Sequence, residues 1–410
     1  MKNQILILFI GCLFIFSGCH KVKHESDFAG YAMTLMDSTL MYYKVPGQVL
    51  FYETYPKRDA DLVTYLAGAD TIRKNRVAYL WPTSGMFSAL NALQKTTGDK
   101  KYENMIESVI LPGLECYFDS LRVPGCYQSY LTESGKSDRF YDDNLWLGLD
   151  FLDLYEQTGN DAYLASARNI WNFIESGCDS ILGGGVYWCE QKKESKNTCS
   201  NAPAAVLALR LYSLTKEIHF FRMGQDLYYW TKKNLQDPAD YLYFDNITLD
   251  GSVNRTKFQY NAGQMLQASV LLYNLTKENL YLEEAQRLAS ACGQYFFEDF
   301  VAEDGESFKA IKNGNVWFVA IMLRGFEELY KVDRNPVYLN SFKKTLQYMW
   351  EHNSNQNMLF DDDCFVEKRN ESKDTKWLLT QAAMIEMYAR LAKLNSTCKC
   401  NRILINNLFK

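Results

Sequence analysis

Apolar residues return along this chain at helical spacing. In LWLGLDFLDLYEQTG, residues 145–159, Leu145, Leu149, Leu152 and Tyr155 fall on an i, i+4, i+7 track, which turns one face of a helix into a core. Strict apolar and polar alternation, the mark of a half-buried strand, is scarce. The predicted helices then repeat. LNALQKTTGDKKYENMIESVI (90–110), LDLYEQTGNDAYLASARNIW (152–171), LRLYSLTKEIHFFRMGQDLYYW (209–230), LLYNLTKENLYLEEAQRLA (271–289) and EELYKVDRNPVYLNSFKKTL (327–346) share one grammar. An apolar helix closes on a Leu-Tyr-like pair, a short polar turn carries Thr-Gly or Thr-Lys, and a second helix starts with an aromatic residue soon after. The tyrosine recurs at Tyr155, Tyr212, Tyr273 and Tyr330, in steps of 57, 61 and 57 residues. LLTQAAMIEMYARLAKL (378–394) supplies the inner helix of a sixth unit.

Helical repeats of about 34 or 40 residues build open solenoids. A step near 60 is longer and leaves room for two helices plus a sizeable loop at one end. Six such hairpins can close into a ring with the long loops on one face, so the predicted fold is all-α, an (α/α)6 barrel of six helical hairpins. The long loops hold the aromatic and polar clusters: LWPTSG (80–85), FYDDNLW (140–146), GGGVYWCEQ (183–191), LDGSVNRTKFQYNAG (249–263) and SFKAIKNGN (307–315). Loops on a rigid frame commonly carry function.

The N terminus changes the address of this barrel. MKNQILILFIGCLFIFSGC has a lysine, an apolar run from Ile5 to Phe16, and Ser17-Gly18-Cys19. That run is shorter than the twenty or so apolar residues a membrane span needs and reads as a secretory signal. A small-residue pair before cysteine resembles a bacterial lipobox. The expected organisation is a signal peptide over 1–18, a lipidated tether over 19–30 starting at Cys19, and one catalytic domain over 31–410. The expected location is the bacterial cell envelope, through a lipid anchor. A net charge of −5 with both signs spread throughout shows no basic stripe for nucleic acid. Of eleven cysteines, Cys116/Cys126 and Cys189/Cys199 are candidate short-loop disulfides, with buried thiols as the alternative. Cys398-Lys-Cys400 has no second Cys/His pair nearby to complete a zinc site. No metal or cofactor is expected, and a monomer is.

Tyr, Trp, Asp, Asn and Gln together suit a sugar site: rings cover the apolar faces of a pyranose, and carboxylates and amides take its hydroxyls. Tyr and Trp number 28 and 8. Most of them, Phe151, Tyr155, Trp171 and Tyr212 included, sit in helical registers and are assigned to packing. Trp81, Trp188 and Tyr260 lie in Gly- or Pro-punctuated loops and are assigned to ligand contact. Histidine narrows the chemistry. His20 and His24 fall in the tether, and His219 and His352 are placed away from the long loops, so histidine-based epimerisation and serine-histidine hydrolysis lack their base. GGGVYW lacks the lysine of a phosphate loop. Carboxylates remain.

Asp142 and Asp143 stand side by side at a helix start, and two readings apply to them. One is an N-cap, worth about 1 kcal/mol. The other is catalysis: retaining glycosidases hold two carboxyl groups roughly 5 to 5.5 Å apart, adjacent Cα atoms are about 3.8 Å apart, and one ionised carboxylate raises the pKa of the next. Adjacency is geometrically sufficient, but it does not say which carboxyl plays which part.

FYDDNLWLGLDFLDLYEQTG, GGGVYW, KNTCSNAPAAVLALRLY and DGSVNRTKFQYNAGQML, in this order on the repeat, resemble glycoside hydrolase family 76, the endo-α-1,6-mannanases, over about residues 78–394. The resemblance implies retaining, endo-acting hydrolysis of α-1,6-mannan such as the backbone of fungal cell-wall mannan. By position it implies Asp142 as nucleophile and Asp143 as acid/base. Asn144, Trp81, Trp188, Asn201, Tyr260, Asn261 and Lys309 are the candidate substrate-binding residues. Two departures stand out. Ala262 replaces the family's usual Gln in Tyr-Asn-Gln-Gly, and Phe308-Lys309-Ala310-Ile311-Lys312 replaces the usual Phe-Lys-Gly-Ile-Phe. Two other functions fit the same lipid and aromatic signals: a non-catalytic glycan-binding lipoprotein, and a related barrel hydrolase acting on unsaturated uronides.

Overall fold

A computed structural model describes residues 26–58, 62–63, 73–352, 357–362, 364–365 and 375–408. The signal peptide, Cys19 and its lipid attachment lie outside the described residues. Thirteen α-helices are seen among them: α1 (Phe28–Tyr43), α2 (Leu80–Thr97), α3 (Lys100–Met105), α4 (Leu111–Glu115), α5 (Tyr141–Thr158), α6 (Asp161–Ser176), α7 (Thr198–Thr215), α8 (Ile218–Leu235), α9 (Gln259–Thr276), α10 (Asn279–Tyr295), α11 (Val316–Asp333), α12 (Val337–His352) and α13 (Leu378–Leu408). A π turn, Ile106–Ile110, joins α3 to α4.

The helices form two concentric layers. Helices α2, α5, α7, α9, α11 and α13 each pack on the next, and α13 packs back on α2 to close the inner ring. Their sequences explain their place. Residues 82–93 of α2 and 198–209 of α7 are buried without interruption, whereas α6 buries only the stripe Tyr163, Ala167, Ile170, Trp171, Phe173 and Ile174. A helix covered on all sides belongs inside, and an amphipathic one belongs on the outer wall. Inner neighbours come very close where glycine permits: a Cβ on Gly263 of α9 would stand 2.4 Å from the Met322 Cα of α11.

The repeated grammar has a local physical cause. At the ends of α2, α5, α7, α9 and α11, Gly98, Gly159, Lys216, Lys277 and Arg334 take the left-handed conformation. In the last four, the backbone N–H donates to the carbonyl of Tyr155, Tyr212, Tyr273 or Tyr330. A non-glycine residue there costs about 1 kcal/mol or more. The cations of Lys216, Lys277 and Arg334 lie 5.8, 5.6 and 5.8 Å from the ring centres of those same tyrosines, which returns about 0.5–1 kcal/mol. The threonines of the turn bond back to the helix: Thr158, Thr215 and Thr276 donate to Leu154, Leu211 and Leu272 carbonyls.

The sixth hairpin closes differently from the other five. Its outer helix is α1, from the start of the chain, packed on α13, with Phe28 stacked on Tyr388 at 6.1 Å between ring centres. Helix α1 therefore begins inside the segment read as tether. Asp27 caps it by accepting from the Gly30 N–H at 2.9 Å, and Phe28 is buried.

Among the described residues eleven short strands decorate the loops: β1 (Thr54–Tyr55), β2 (Leu62–Val63), β3 (Arg73–Lys74), β4 (Phe118–Asp119), β5 (Cys126–Tyr127), β6 (Ser195–Asn197), β7 (Phe244–Thr248), β8 (Val253–Lys257), β9 (Phe297–Val301), β10 (Ser307–Ile311) and β11 (Lys376–Trp377). They form small antiparallel sheets, of which β6-β7-β8 has three strands. Strand β1 pairs with β11, tying the chain before α2 to the chain before α13. Both candidate disulfides are absent: Cys116, Cys126, Cys189 and Cys199 are free thiols, three of them buried in the packing that the alternative reading required.

The barrel has a polar end and a chemical end. Toward the C-terminal ends of the inner helices, Arg324 makes paired bonds of 2.7 and 2.9 Å to Glu386, and Arg390 bonds to Glu386 at 2.6 Å and Glu327 at 2.9 Å. Burial alone would raise the pKa of Glu386. The guanidiniums of Arg324 and Arg390 outweigh it and hold the carboxyl below its ordinary range.

Candidate active site

At the N-terminal ends of the inner helices lies a cleft of about 690 Å³. Its position follows from the repeat. The second residue of five inner helices lines it: Trp81 of α2, Asp142 of α5, Cys199 of α7, Tyr260 of α9 and Trp317 of α11. Trp81 and Tyr260 are thus in first helical turns, not in loops, yet both face the cleft as expected. Aromatic rings build one wall. Tyr260 stacks on Phe318 at 4.0 Å with 5° between planes, and Trp81 meets Trp317 and Trp377 edge-on at 5.5 and 5.2 Å. Trp146 packs edge-on against Trp317 at 4.8 Å.

Carboxylates line the same cleft. Asp142 accepts from the Trp188 indole Nε1 at 3.2 Å and from the Asp143 backbone N–H at 3.1 Å. Burial pushes its pKa up to about 6, and bonds from the Cys199 thiol and Trp188 hold it from rising further. Asp143 is pushed well above the ordinary carboxylate range, first by burial and then by the charge of Asp142. The two neighbours therefore separate into one acid that ionises near neutrality and one that keeps its proton. An N-cap role fails on geometry, because the capping position is Phe140 and neither aspartate caps the helix.

Trp188 is held in place by backbone pairing. Phe140 bridges Cys189 antiparallel, the Tyr141 N–H donates to the Trp188 carbonyl at 3.0 Å, and Arg139 locks Glu190 through Nε at 2.7 Å. The start of α5 that carries the aspartate pair is thus stitched to the loop that carries the tryptophan.

Four expected substrate contacts, Asn144, Asn201, Lys309 and Asn261, fall outside the cleft lining. Asn144 is fully buried; its amide accepts from the Tyr127 N–H at 2.9 Å and donates to the carbonyls of Tyr127 and Phe140 at 2.8 and 2.9 Å. Asn201 makes the same clamp on Val186, accepting at 2.7 Å and donating at 2.9 Å, with a third bond to the Asn197 carbonyl at 2.8 Å. These amides fasten loops to inner helices, with both N–H donors of each engaged and the side chains fully buried. Gln381 does the same to Phe360. Lys309 projects from the β9–β10 hairpin, 53% exposed and paired with Asp299 at 3.0 Å, outside the cleft wall. Asn261 is buried behind the wall, close enough to Asp245 to favour its ionised form.

Residues not anticipated complete the cleft: Glu53, Asp138, Asp245, Cys199, Trp317, Phe318 and Trp377. Glu53 accepts from the Trp377 indole at 2.5 Å and the Tyr79 N–H at 2.8 Å, so it aims one wall of the site. For Cys199, Trp317 and Phe318 the shared register at the starts of the inner helices was the available signal. His219 and His352 do not line the cleft. Among the described residues no group of three His, Cys, Asp or Glu is arranged to hold a metal ion, and no helix is long and apolar enough to cross a membrane.

Comparison with known proteins agrees with this geometry. The family described as Glycosyl hydrolase family 76 matches residues 57–399. A family 76 glycoside hydrolase described as a mannosidase, from Bacteroides thetaiotaomicron VPI-5482, superposes with a TM-score of 0.82 at 30% identity, over 91% of this chain and 100% of that one. An inactive variant of an α-1,6-mannanase from Salegentibacter sp., with two consecutive aspartates replaced and α-1,6-mannotriose bound, shares the fold. Its TM-score is 0.69 at 24% identity, over 89% of this chain and 99% of that one. A putative mannan endo-1,6-alpha-mannosidase of Schizosaccharomyces pombe is 24% identical over 241 residues, 55% of this chain and 52% of that protein. The chain spans about half the length of that relative and of the other curated relative matched over a similar stretch.

Proposed function

Since the chain belongs to glycosyl hydrolase family 76, we propose that it is an endo-acting α-1,6-mannanase that cleaves with retention, with Asp142 as nucleophile and Asp143 as acid/base. The observation that carries the reading is the division of labour between adjacent carboxyls at the foot of an aromatic cleft. Asp142, with the lower pKa and two hydrogen-bond donors on its carboxylate, is the one available to attack the anomeric carbon. Asp143, kept protonated by burial and by its neighbour, donates to the departing glycosidic oxygen. The glycosyl-aspartate ester is then opened by a water that Asp143 deprotonates, restoring both groups. Trp81, Phe318 and Trp377, half-buried in the cleft wall, supply the rings for the sugars, with Trp317 packed behind them.

The names of the relatives support mannan as the substrate, and the cleft's aromatic wall supports a polysaccharide. Incubation with debranched α-1,6-mannan and sizing of the products tests the reading. A falling ladder of oligosaccharides is expected, and release of mannose alone from chain ends would replace endo by exo action. No release at all, with binding retained, would instead favour the non-catalytic glycan-binding protein. We further propose that Cys19 carries a lipid that holds the enzyme to the bacterial envelope, motivated by the Ser-Gly-Cys that closes the apolar run. Labelled fatty acid should enter the wild type and not Cys19→Ala.

A further inference from the structure

Asp150 is a buried acid of the inner ring that lines no part of the cleft. It follows Asp143 on α5 by seven residues, which puts it two helical turns, about 10 Å, further down the same face. One carboxyl oxygen, Oδ2, accepts from the Ser88 hydroxyl at 2.6 Å. The other, Oδ1, is buried and has no hydrogen-bond partner among the described residues, and all six inner helices that enclose it are among them. The same contact holds a second unmatched acceptor. The Asn91 amide Nδ2 donates to the backbone carbonyl of Asp150 at 3.1 Å, while its own Oδ1 is buried without a partner. Ser88 and Asn91 lie three residues apart on one face of α2, so both acceptors belong to the seam of α2 against α5. The charged groups nearby are engaged with one another. Arg324 of α11 makes its paired bonds to Glu386 of α13, and Asp153 of α5 is bonded by Arg210 of α7 at 2.7 Å. From α9 come only the neutral amides of Gln264 and Gln267, bonded to each other at 3.0 Å.

A buried acceptor left unmatched is costly, and a charged one more so. A single proton on Asp150 Oδ1 removes the charge and supplies the donor that Asn91 lacks. We propose that Asp150 keeps its proton up to neutral pH and donates it to the side-chain carbonyl of Asn91, which makes the α2–α5 seam a proton-dependent lock beneath the helix starts that carry Trp81 and the aspartate pair. Burial pushes the pKa of Asp150 up to about 7; Arg324 and the Ser88 bond oppose the rise, and Asp153 and Glu386 add to it. An acid whose folded pKa lies above its unfolded value of about 3.9 stabilises the fold fully below that value, and the contribution is lost as pH rises through about 7. The lock is closed in acid and opens above neutrality, whatever glycan the cleft binds.

Asp150→Asn in the full chain is the test. An amide reproduces both bonds of the protonated acid, accepting from Ser88 and donating to Asn91, and it cannot ionise. Denaturant titrations from pH 4 to pH 9 should find the two proteins alike at pH 4 and the variant the more stable above pH 7, by up to about a thousandfold in the folding constant. Infrared spectra at pH 5 should show one protonated-carboxyl band in wild type that the variant lacks. If Asp150→Asn misfolds, Ser88→Ala takes its place. It removes a donor that favours the charged form, so stability should go on falling to a higher pH than in wild type. An Asp150→Asn variant less stable than wild type by the same factor at every pH overturns the proposal. So does a spectrum that loses no band on substitution, or a Ser88→Ala profile that matches wild type.

Discussion

The indole Nε1 of Trp188 donates to the carboxylate of Asp142 at 3.2 Å, beside the bridge that pairs Phe140 with Cys189. The bond stabilises the charged form of Asp142, which burial otherwise opposes. Under the proposed mechanism activity needs Asp142 ionised and Asp143 protonated, so kcat/KM should rise as pH passes about 6 and fall only at the higher pH where Asp143 loses its proton. Trp188→Phe removes the donor and raises the Asp142 pKa, moving the acid limb upward by about 0.5–1 unit, on the scale of one lost hydrogen bond. A pH–rate profile decides: a lower plateau with an unmoved limb would make Trp188 a sugar platform only.

Asp142→Ala should lose turnover on every substrate, because no ester can form. Asp143→Ala should keep the first step on aryl mannosides with good leaving groups, which need little protonation, and added azide should speed the second. Product stereochemistry by NMR is the measurement. Azide rescue should give the retained glycosyl azide from Asp143→Ala, where azide opens the ester, and an inverted one if it rescues Asp142→Ala, where azide replaces the nucleophile; the opposite pattern of anomers would exchange the two roles.

Asn201→Ala should cost stability and leave binding alone. It strips three hydrogen bonds and orphans the buried N–H and carbonyl of Val186, a loss of about 2–4 kcal/mol at about 1–3 kcal/mol per unsatisfied group. Thermal unfolding should show the drop, and KM of the folded enzyme should match wild type. A raised KM with unchanged melting would return Asn201 to the sugar.

Lys309→Ala should be silent in kinetics. Its ammonium pairs with Asp299 on an exposed hairpin, and such pairs contribute about 0–1 kcal/mol. A several-fold change in kcat/KM on mannan would place the β9–β10 hairpin over bound substrate.

Glu386→Gln should destabilise the barrel by about 3–5 kcal/mol at neutral pH, since it leaves Arg324 and Arg390 buried without their shared acid. The folded pKa of Glu386 is depressed, so its contribution is present above the unfolded value of about 4.3 and is lost as pH falls through the folded one. Denaturant titrations from pH 7 to pH 3 should show wild type and variant converging in acid. A constant difference over that range would mean the carboxyl is not held down.

The barrel was legible because its repeat is written in local chemistry. Tyr212, Thr215 and Lys216 mark a helix end by a left-handed cap, a threonine back-bond and a cation on a ring, and such marks recur near every 60 residues. The aspartate pair was legible through the blocks around it. Asn144 and Asn201 misled because an amide beside a catalytic group looks alike whether it faces sugar or backbone; only the Tyr127 and Val186 partners, brought in by folding, decide. Glu53 and Trp377 were invisible for a related reason, since β1 and β11 meet from opposite ends of the chain. The first turn of α1, from Phe28, fell within the segment read as tether because its packing partner, Tyr388, lies in the last helix.

That seam between α1 and α13 makes the ring a structure of timing as well as of shape. Five hairpins can each fold from neighbouring sequence, but the sixth joins the first helix to the last, so no nascent chain can close the circle until α13 has been made. Until then the inner faces of α2 and α11 that α13 covers stay open to water, and long-range closure of this kind is slow and exposed to aggregation. A growing chain kept unfolded until its end is complete would avoid that exposure.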